Sequence, residues 1–153
     1  MENKKILTLI YVQKDNKTLF LKRAQKTPDE ISTGKYLGVG GKVDKEDSSI
    51  ENAAKREMLE ETNLQAKSLI KKGIVTFIGQ KDYPLETHIF ICKDFTGALK
   101  GDDREGTLHW IDNEKIDTIP LWEGDKEFLP KLFEEGVFNL ILRYEGKKLV
   151  SVE

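Results

Sequence analysis

The chain has 153 residues, 38% hydrophobic and 34% charged, a composition that suits one globular domain with an adequate core. Its formal net charge of -2 offers no broad basic field to a nucleic-acid polymer, and no apolar run approaches the ~20 residues that span a bilayer. We therefore expect neither nucleic-acid polymers nor membranes as partners. The N-terminal apolar run is too short for a signal peptide, which favours a β-strand there and a cytoplasmic location. Cys92 is the single cysteine, so a disulfide framework or zinc cluster is excluded and core packing is expected.

Turn signals divide the chain into short periodic segments. Residues 6–12 and 18–22 are apolar, β-branched runs around an Asp-Asn pair, a pattern typical of a hairpin. Residues 24–36, with Pro28 and Gly34, are predicted to form a loop. The remaining pattern predicts strands at 69–79, 86–95 and 108–111, a helix at 125–135, and a final hairpin over 138–152 about Glu145-Gly146. Strands with few helices indicate a single domain of mixed α+β architecture over residues 1–153.

A longer helix is predicted between Ser48 and Asn63. Ser48 followed three residues later by Glu51 is a capping-box signature, and residues 50–62 contain neither Pro nor Gly. Asn63 tolerates the left-handed conformation of a helix C-cap, and Leu64 beyond it can make the apolar contact typical of such a cap. The helix is therefore expected to end at Asn63.

Three carboxylates of this helix, Glu57, Glu60 and Glu61, lie within an arc of about 100°, given roughly 100° per residue. They share that side with small and apolar residues, and Glu57 forms like-charge pairs with both of the others, which destabilise a helix. One interpretation is a solvated acidic face, the common role of such clusters. The other is a site for a hard divalent cation such as Mg²⁺, which binds a few carboxylates together with substrate phosphates. Residue type and spacing leave both interpretations open.

The segment from Gly40 to Leu64 resembles the Nudix box, in which a Gly, a Glu and an Arg-Glu-apolar-x-Glu-Glu-x-Gly-apolar run follow at set spacings. The matching positions are Gly40-Gly41-Lys42, Arg56, Glu57, Met58, Glu60, Glu61 and Leu64. Asn63 replaces the final Gly, which its tolerance of left-handed backbone permits. The spacing from Gly41 to Arg56 is one residue longer than the pattern, so Asp47 or Ser48 corresponds to the leading Glu that usually pairs with the Arg.

The resemblance extends over most of the chain, through "LTLIYV", "LFLKRA", "GKYLGVGGKV", "DDREGTLHW" and "PLWEGDKEFLP", and is nearest to the oxidised-purine nucleoside triphosphatases of the MutT type. It implies the Nudix fold, a mixed β-sheet sandwiched between helices. It also implies Mg²⁺, with Mn²⁺ as an alternative, and attack of water at phosphorus. The implied metal ligands are Gly40, through its carbonyl, and Glu57, Glu60, Glu61 and Glu105. These four glutamates are also the implied catalytic residues, and the proton acceptor is open among Glu57, Glu61 and Glu105.

The resemblance further implies a small-molecule nucleotide as substrate. Arg23 and Lys42 are candidate phosphate contacts, and the positions corresponding to the base pocket are Tyr36, Leu37, Trp122, Gly124 and Asp125. Leu37 replaces an Asn and Gly124 replaces an acid, so we do not expect strong preference for 8-oxo-dGTP. Trp122 can still stack a base and Asp125 can accept from it, unless they are only a packed Trp and a helix N-cap.

Thr8 and Phe77 are alternative base-reading residues.

Three functions follow from these observations. The first is hydrolysis of a nucleoside triphosphate to monophosphate and pyrophosphate, and the second is hydrolysis of another nucleoside diphosphate derivative, such as a dinucleotide or nucleotide sugar. The third is a non-catalytic nucleotide- or metal-binding module, which the complete Arg56-Glu57 and Glu60-Glu61 set disfavours. The oligomeric state is not predicted.

Overall fold

The first two strands form the predicted hairpin. The computed structural model describes residues 3–24, 34–101 and 104–153. Within them β1 (Lys5–Lys14) and β2 (Lys17–Arg23) pair antiparallel. Asp15 and Asn16 connect them with φ of 52° and 61°, the positive values that a two-residue hairpin turn of type I′ requires. Of the predicted loop at 24–36, residues 25–33 lie outside the described residues, and Tyr36 begins a strand.

The described strands form one mixed sheet in the order β3-β2-β1-β6-β5-β8-β9, with β4 on β1 and β7 on β2. The strands after the hairpin are β3 (Tyr36–Leu37), β4 (Val39–Lys42), β5 (Gln65–Ile78), β6 (Leu85–Thr96), β7 (Gly106–Asp112), β8 (Phe138–Glu145) and β9 (Lys148–Val152). β1 runs parallel to β6 and β5 runs parallel to β8, whereas the other pairs are antiparallel. The predicted strands and the final hairpin are confirmed, with the last turn at Gly146-Lys147.

The long helix, α1 (Ile50–Thr62), begins one residue later than the capping-box pattern predicts. Ser49 is the N-cap, and its hydroxyl accepts a hydrogen bond from the Asn52 N–H at 3.0 Å. Ser48 instead accepts from the Asn52 side chain at 2.6 Å. The predicted end is confirmed, because Asn63 adopts φ 65° and donates its N–H to the Leu59 carbonyl.

The predicted helix at 125–135 is wrong in its length. α2 (Asp125–Phe128) forms a single turn, and a 3-10 helix over Leu129–Phe133 follows it. Pro130 explains the change, because a proline in a helix interior lacks an N–H and clashes with the preceding turn. A second 3-10 helix (Asn113–Thr118) precedes this region.

Helical segments cover both faces of the sheet, which confirms the α+β sandwich. One core cluster joins α1, through Ala54 and Met58, to alternate strand residues such as Ile10 and Phe90. The other joins the segment 116–132 to residues of the opposite parity, such as Tyr11 and Ile89. Cys92 is buried in the first cluster, and burial raises the pKa of its thiol to about 11, in keeping with a packing role. Among the described helices, none is long and apolar enough to cross a membrane.

Candidate active site

The acidic side of α1 lies against β4, where two glycines allow close contact. The Gly40 N–H donates to the Glu61 carboxylate (Oε2) at 2.6 Å. A Cβ at Gly40 would lie 2.0 Å from the Thr8 carbonyl oxygen, and the φ of +151° is also one that L side chains rarely adopt. A Cβ at Gly41 would lie 2.6 Å from the Glu57 carboxylate. Glycine at position 40 lets β4 lie close to the Thr8 backbone of β1, and glycine at position 41 leaves room for the Glu57 carboxylate.

Arg56 anchors the segment that leads into α1. Its guanidinium donates to both Asp47 oxygens at 2.9 Å, a bidentate geometry that is strong and directional. The hydrogen bonds from Arg56 lower the pKa of the Asp47 carboxyl to about 2. Of the two residues that the lengthened box left open, Asp47 is therefore the partner of Arg56. The additional residue of the lengthened box lies between Asp47 and Arg56, and the two side chains still pair.

Burial and mutual repulsion give the acids of α1 unusual proton affinities. Burial raises the pKa of Glu61 to about 7, the Gly40 N–H opposes this rise, and the negative charges of Glu57 and Glu105 add to it. Burial also raises the pKa of Glu57, against hydrogen bonding from Arg56. Arg56 contacts Glu57 at 3.1 Å and Glu60 at 3.2 Å, and the side chain of Glu60 is 58% exposed. Burial is thus the main cause of the raised pKa of both Glu57 and Glu61.

Glu105 reaches the same region from the residues before β7. It forms an ion pair with Arg23 at 3.1 Å, and the Ala24 N–H donates to the Glu105 carbonyl oxygen at 3.0 Å. Arg23 and Glu105 line the same cavity as Glu57, Glu60 and Glu61. The structure thus brings together Gly40 and the four glutamates singled out in the sequence.

The donor set fits a hard divalent cation, although the side chains do not surround a single point. Glu57 and Glu61 offer carboxylate oxygens, which are the kind of donor that Mg²⁺ and Mn²⁺ prefer. Among the described residues, no three Asp, Glu, His or Cys side chains converge at ligating spacing. Arg56 pairs with Glu57 and Glu60, and Arg23 pairs with Glu105. Small rotations of these side chains away from their arginines would be needed to bind a cation.

A cavity of about 1160 Å³ contains these acids and extends to the other core layer. On the α1 side its wall includes Glu57, Glu60 and Glu61. On the other side it includes Phe77 and Trp122, which pack in or against the core cluster of the segment 116–132. Of the residues predicted to bind substrate, those that line it are Thr8, Arg23, Leu37, Phe77, Trp122 and Asp125.

Tyr36 and Lys42 are not among the lining residues. The Tyr36 ring packs edge-on against His109 at 5.7 Å between ring centroids, and Lys42 lines a separate groove with Lys4 and Lys45. Their predicted contacts with substrate would require a ligand that extends beyond the cavity wall or a local rearrangement.

The turn from Trp122 to Asp125 is held by a tyrosine of β8. The Tyr144 hydroxyl accepts the Gly124 N–H at 2.5 Å, and its ring packs edge-on against Trp122 at 5.3 Å between centroids. A Cβ at Gly124 would lie 2.5 Å from that hydroxyl oxygen, so an acid there would clash. Asp125 is buried, and burial raises its pKa to about 7. The Tyr144 side chain thus fills part of the space that an acidic side chain at position 124 would need.

Sequence reasoning missed three residues of this region. Tyr144 lies twenty residues from Gly124, and its contact depends on the pairing of β5 with β8. Lys35 and Arg104 both line the cavity. The signal available for Lys35 was its place directly before Tyr36, and for Arg104 its place directly before Glu105.

Comparison with known proteins identifies the family. The model of the NUDIX domain matches residues 4–132. This chain belongs to the Nudix family. It is 30% identical over 152 residues to the oxidized purine nucleoside triphosphate hydrolase of Danio rerio, covering 98% of this chain and 93% of the relative. It is 29% identical over 140 residues to the protein of the same name in Mus musculus, covering 90% of this chain and 85% of that one.

Solved structures agree with the fold. A MutT protein from Bacillus halodurans superposes with a TM-score of 0.84 at 21% identity, covering 97% of this chain and 96% of that one. That likeness reaches beyond the residues matched by the family model, so it takes in most of the β8–β9 hairpin that carries Tyr144. The chain is a Nudix hydrolase with the mixed sheet and helices of that fold.

Proposed function

We propose that this Nudix hydrolase converts a nucleoside triphosphate to the monophosphate and pyrophosphate, with Mg²⁺ as cofactor. The observation that carries the proposal is one cavity with two chemically different sides. One side has the carboxylates of α1 beside Arg23, and the other has Trp122 and Phe77. Such a cavity suits a ligand with a charged polyphosphate at one end and a flat, apolar ring at the other.

The acids of α1 are the proposed metal ligands. Glu57, Glu60, Glu61 and Glu105, with the Gly40 carbonyl, would hold the cation. A bound Mg²⁺ supplies charge to screen the polyphosphate and lowers the pKa of a water molecule. The chain's own part is to hold carboxylates at the α1 face through Gly40, Gly41 and the Arg56–Asp47 pair. One of Glu57, Glu61 and Glu105 accepts the proton of the attacking water.

Arg23 is the proposed phosphate contact within the cavity. Its Nη1 is 3.1 Å from Glu105, so the guanidinium lies at the border between the acids and the open volume. A guanidinium can bind two phosphate oxygens at once. The ion pair with Glu105 would hold Arg23 in place until substrate binds.

Purine nucleotides, including 8-oxo-dGTP, are the first substrates to test, because two relatives are named oxidized purine nucleoside triphosphate hydrolases. Trp122 offers a stacking surface and Asp125 an acceptor. Leu37 lines the cavity with an apolar side chain, and Tyr144 blocks an acid at Gly124. Preference for the oxidised base over dGTP should therefore be modest.

The test is a product assay over nucleoside triphosphates, dinucleotides and nucleotide sugars with Mg²⁺. The proposal expects phosphate from a triphosphate only when inorganic pyrophosphatase is added, because pyrophosphate is the primary product. Phosphate without pyrophosphatase would mean attack at the terminal phosphorus. Turnover confined to dinucleotides or nucleotide sugars, with nucleoside monophosphate as product, would identify the alternative Nudix activity. No turnover of any compound would favour a binding module.

A further inference from the structure

Lys35 brings a positive charge to the aromatic side of the cavity. Its Nζ donates to the Leu121 carbonyl oxygen at 3.4 Å and lies 5.7 Å from the centroid of the Trp122 ring. The side chain lines the cavity. An ammonium at this distance from an indole face is attracted by the ring. Lys35 is therefore held against the same turn that carries the proposed stacking residue.

The backbone around Lys35 is fixed on both sides. The Arg23 N–H donates to the Lys35 carbonyl oxygen at 3.0 Å, and the Tyr36 N–H donates to the Pro120 carbonyl oxygen at 2.9 Å. These bonds tie the residue to β2 and to the segment before Trp122. The backbone at Lys35 is thus held by hydrogen bonds to two other segments of the fold.

Lys35 and Asp125 both line the cavity, Lys35 with hydrogen-bond donors and Asp125 with acceptors. The charge of Lys35 acts on the Asp125 carboxyl and lowers its pKa, against the larger effect of burial. An ammonium has three N–H donors, of which Leu121 takes one, and a carboxylate offers only acceptors. Trp122, whose ring faces the Lys35 ammonium, accepts the Asp125 N–H through its carbonyl oxygen at 3.0 Å.

We propose that Lys35 selects the base, donating to a ring carbonyl oxygen while Asp125 accepts from the adjacent ring N–H. This inference rests on the proposed function and specifies its substrate class as nucleotides of 6-oxopurines. Guanine and hypoxanthine present a carbonyl at position 6 beside N1–H. Adenine seated the same way would set its amino group against the ammonium and its N1 lone pair against the carboxylate. Lys35 thus supplies the donor that Leu37 cannot.

The experiment compares kcat/KM for dGTP and dATP in the parent protein, Lys35→Met and Lys35→Arg. A well-formed pair of base contacts discriminates by about 1–3 kcal/mol, which is roughly 5- to 150-fold. We expect the parent to prefer dGTP within that range. Lys35→Met should lose most of the preference through a higher KM for dGTP, with dATP nearly unchanged, and Lys35→Arg should restore part of it.

Lys81→Met is the matched control, because Lys81 lines the same cavity from the β5–β6 connection. Lys81→Met should change kcat/KM for dGTP and for dATP by a common factor. The assignment would be overturned by a parent protein without preference for dGTP, or by a Lys35→Met variant whose kcat/KM falls equally for both substrates.

Binding of dGMP and dAMP, measured by calorimetry, tests the base contact without turnover. Tighter binding of dGMP that Lys35→Met abolishes would support the inference even if the triphosphates were not hydrolysed. Equal binding of both monophosphates, or binding of neither, would overturn it. If Lys35→Met hydrolysed the triphosphates with the same ratio of kcat/KM for dGTP to dATP as the parent, the proposed function would stand and only the role of Lys35 would be refuted.

Discussion

A single side chain, Glu61, has opposite consequences for folding and for the proposed chemistry. Its carboxylate is partly buried, accepts the Gly40 N–H and lines the same cavity as Glu57 and Glu105. Its pKa rises from 4.5 to about 7, so the folded protein binds this proton more tightly than the unfolded chain does. Stability without metal should therefore fall as pH rises from about 4.5 to about 7 and stay level above that range.

Replacing Glu61 by Gln should separate these two effects. The Gln oxygen can still accept the Gly40 N–H, but the charge and its repulsion are removed. We expect Glu61→Gln to be more stable than the parent at pH 8 without metal, yet to lose about 10- to 100-fold in activity. Thermal unfolding with a chelator and steady-state kinetics measure the two quantities. Glu51→Gln, on the exposed first turn of α1, is the control and should change neither by much. Near-normal turnover of Glu61→Gln at saturating Mg²⁺ would remove Glu61 from the proposed ligands.

Asp125 allows a second pH prediction in a different part of the cavity. Burial raises its pKa from 3.8 to about 7, so its contribution to stability also decreases as pH rises through that window. Each pH unit there costs up to about 1.4 kcal/mol of unfolding free energy for one such group. Asp125→Asn should give a flatter profile between pH 5 and pH 7 than the parent, as measured by urea denaturation. Parallel profiles for the two proteins would show that Asp125 ionises normally in the fold.

At the scale of one element, the ends of α1 show how local sequence decides a boundary. Two consecutive serines precede the helix, and Ser49 is the one whose hydroxyl accepts the Asn52 N–H, with an extended backbone of φ -160° and ψ 165°. The capping-box pattern points to Ser48 because of Glu51, but Glu51 instead lies 3.9 Å from Lys55. A sequence pattern with two candidate caps cannot choose between them without the backbone geometry.

The cap assignment predicts different costs for the two serines. Ser49→Ala should lower the free energy of unfolding by about 1 kcal/mol, because an N–H of the first turn loses its acceptor. Ser48→Ala removes only an exposed contact with the Asn52 side chain and should cost less than half as much. Urea denaturation of the two variants makes the comparison. If Ser48→Ala proved the more costly change, the helix would begin where the capping-box pattern places it.

For the whole molecule, local features could be predicted from sequence and contacts distant along the chain could not. The Asp15-Asn16 turn, the Asn63 cap and the charge of α1 each depend on neighbouring residues, and each lies as expected. The pairing of β1 with β6, eighty residues apart, has no local signal. The same is true of the Tyr144 contact with Gly124, and of Lys35 beside Trp122. The part of the site that we propose to read the base is assembled from such distant segments, which is why the sequence predicts only some of its residues.

Cation binding should be visible in the stability of the whole domain. A ligand that binds only the folded state stabilises it by mass action, about 2.7 kcal/mol at a concentration 100 times its Kd. For a domain of this size, that corresponds to a rise in Tm of roughly 5–10 °C. We expect Mg²⁺ to produce such a rise, and Glu57→Gln to reduce it because one proposed ligand loses its charge. The measurement is thermal unfolding of chelator-treated protein against MgCl₂, with NaCl at matched ionic strength as control. A solvated acidic face would respond to both salts alike through screening, so equal shifts would contradict a metal site on α1.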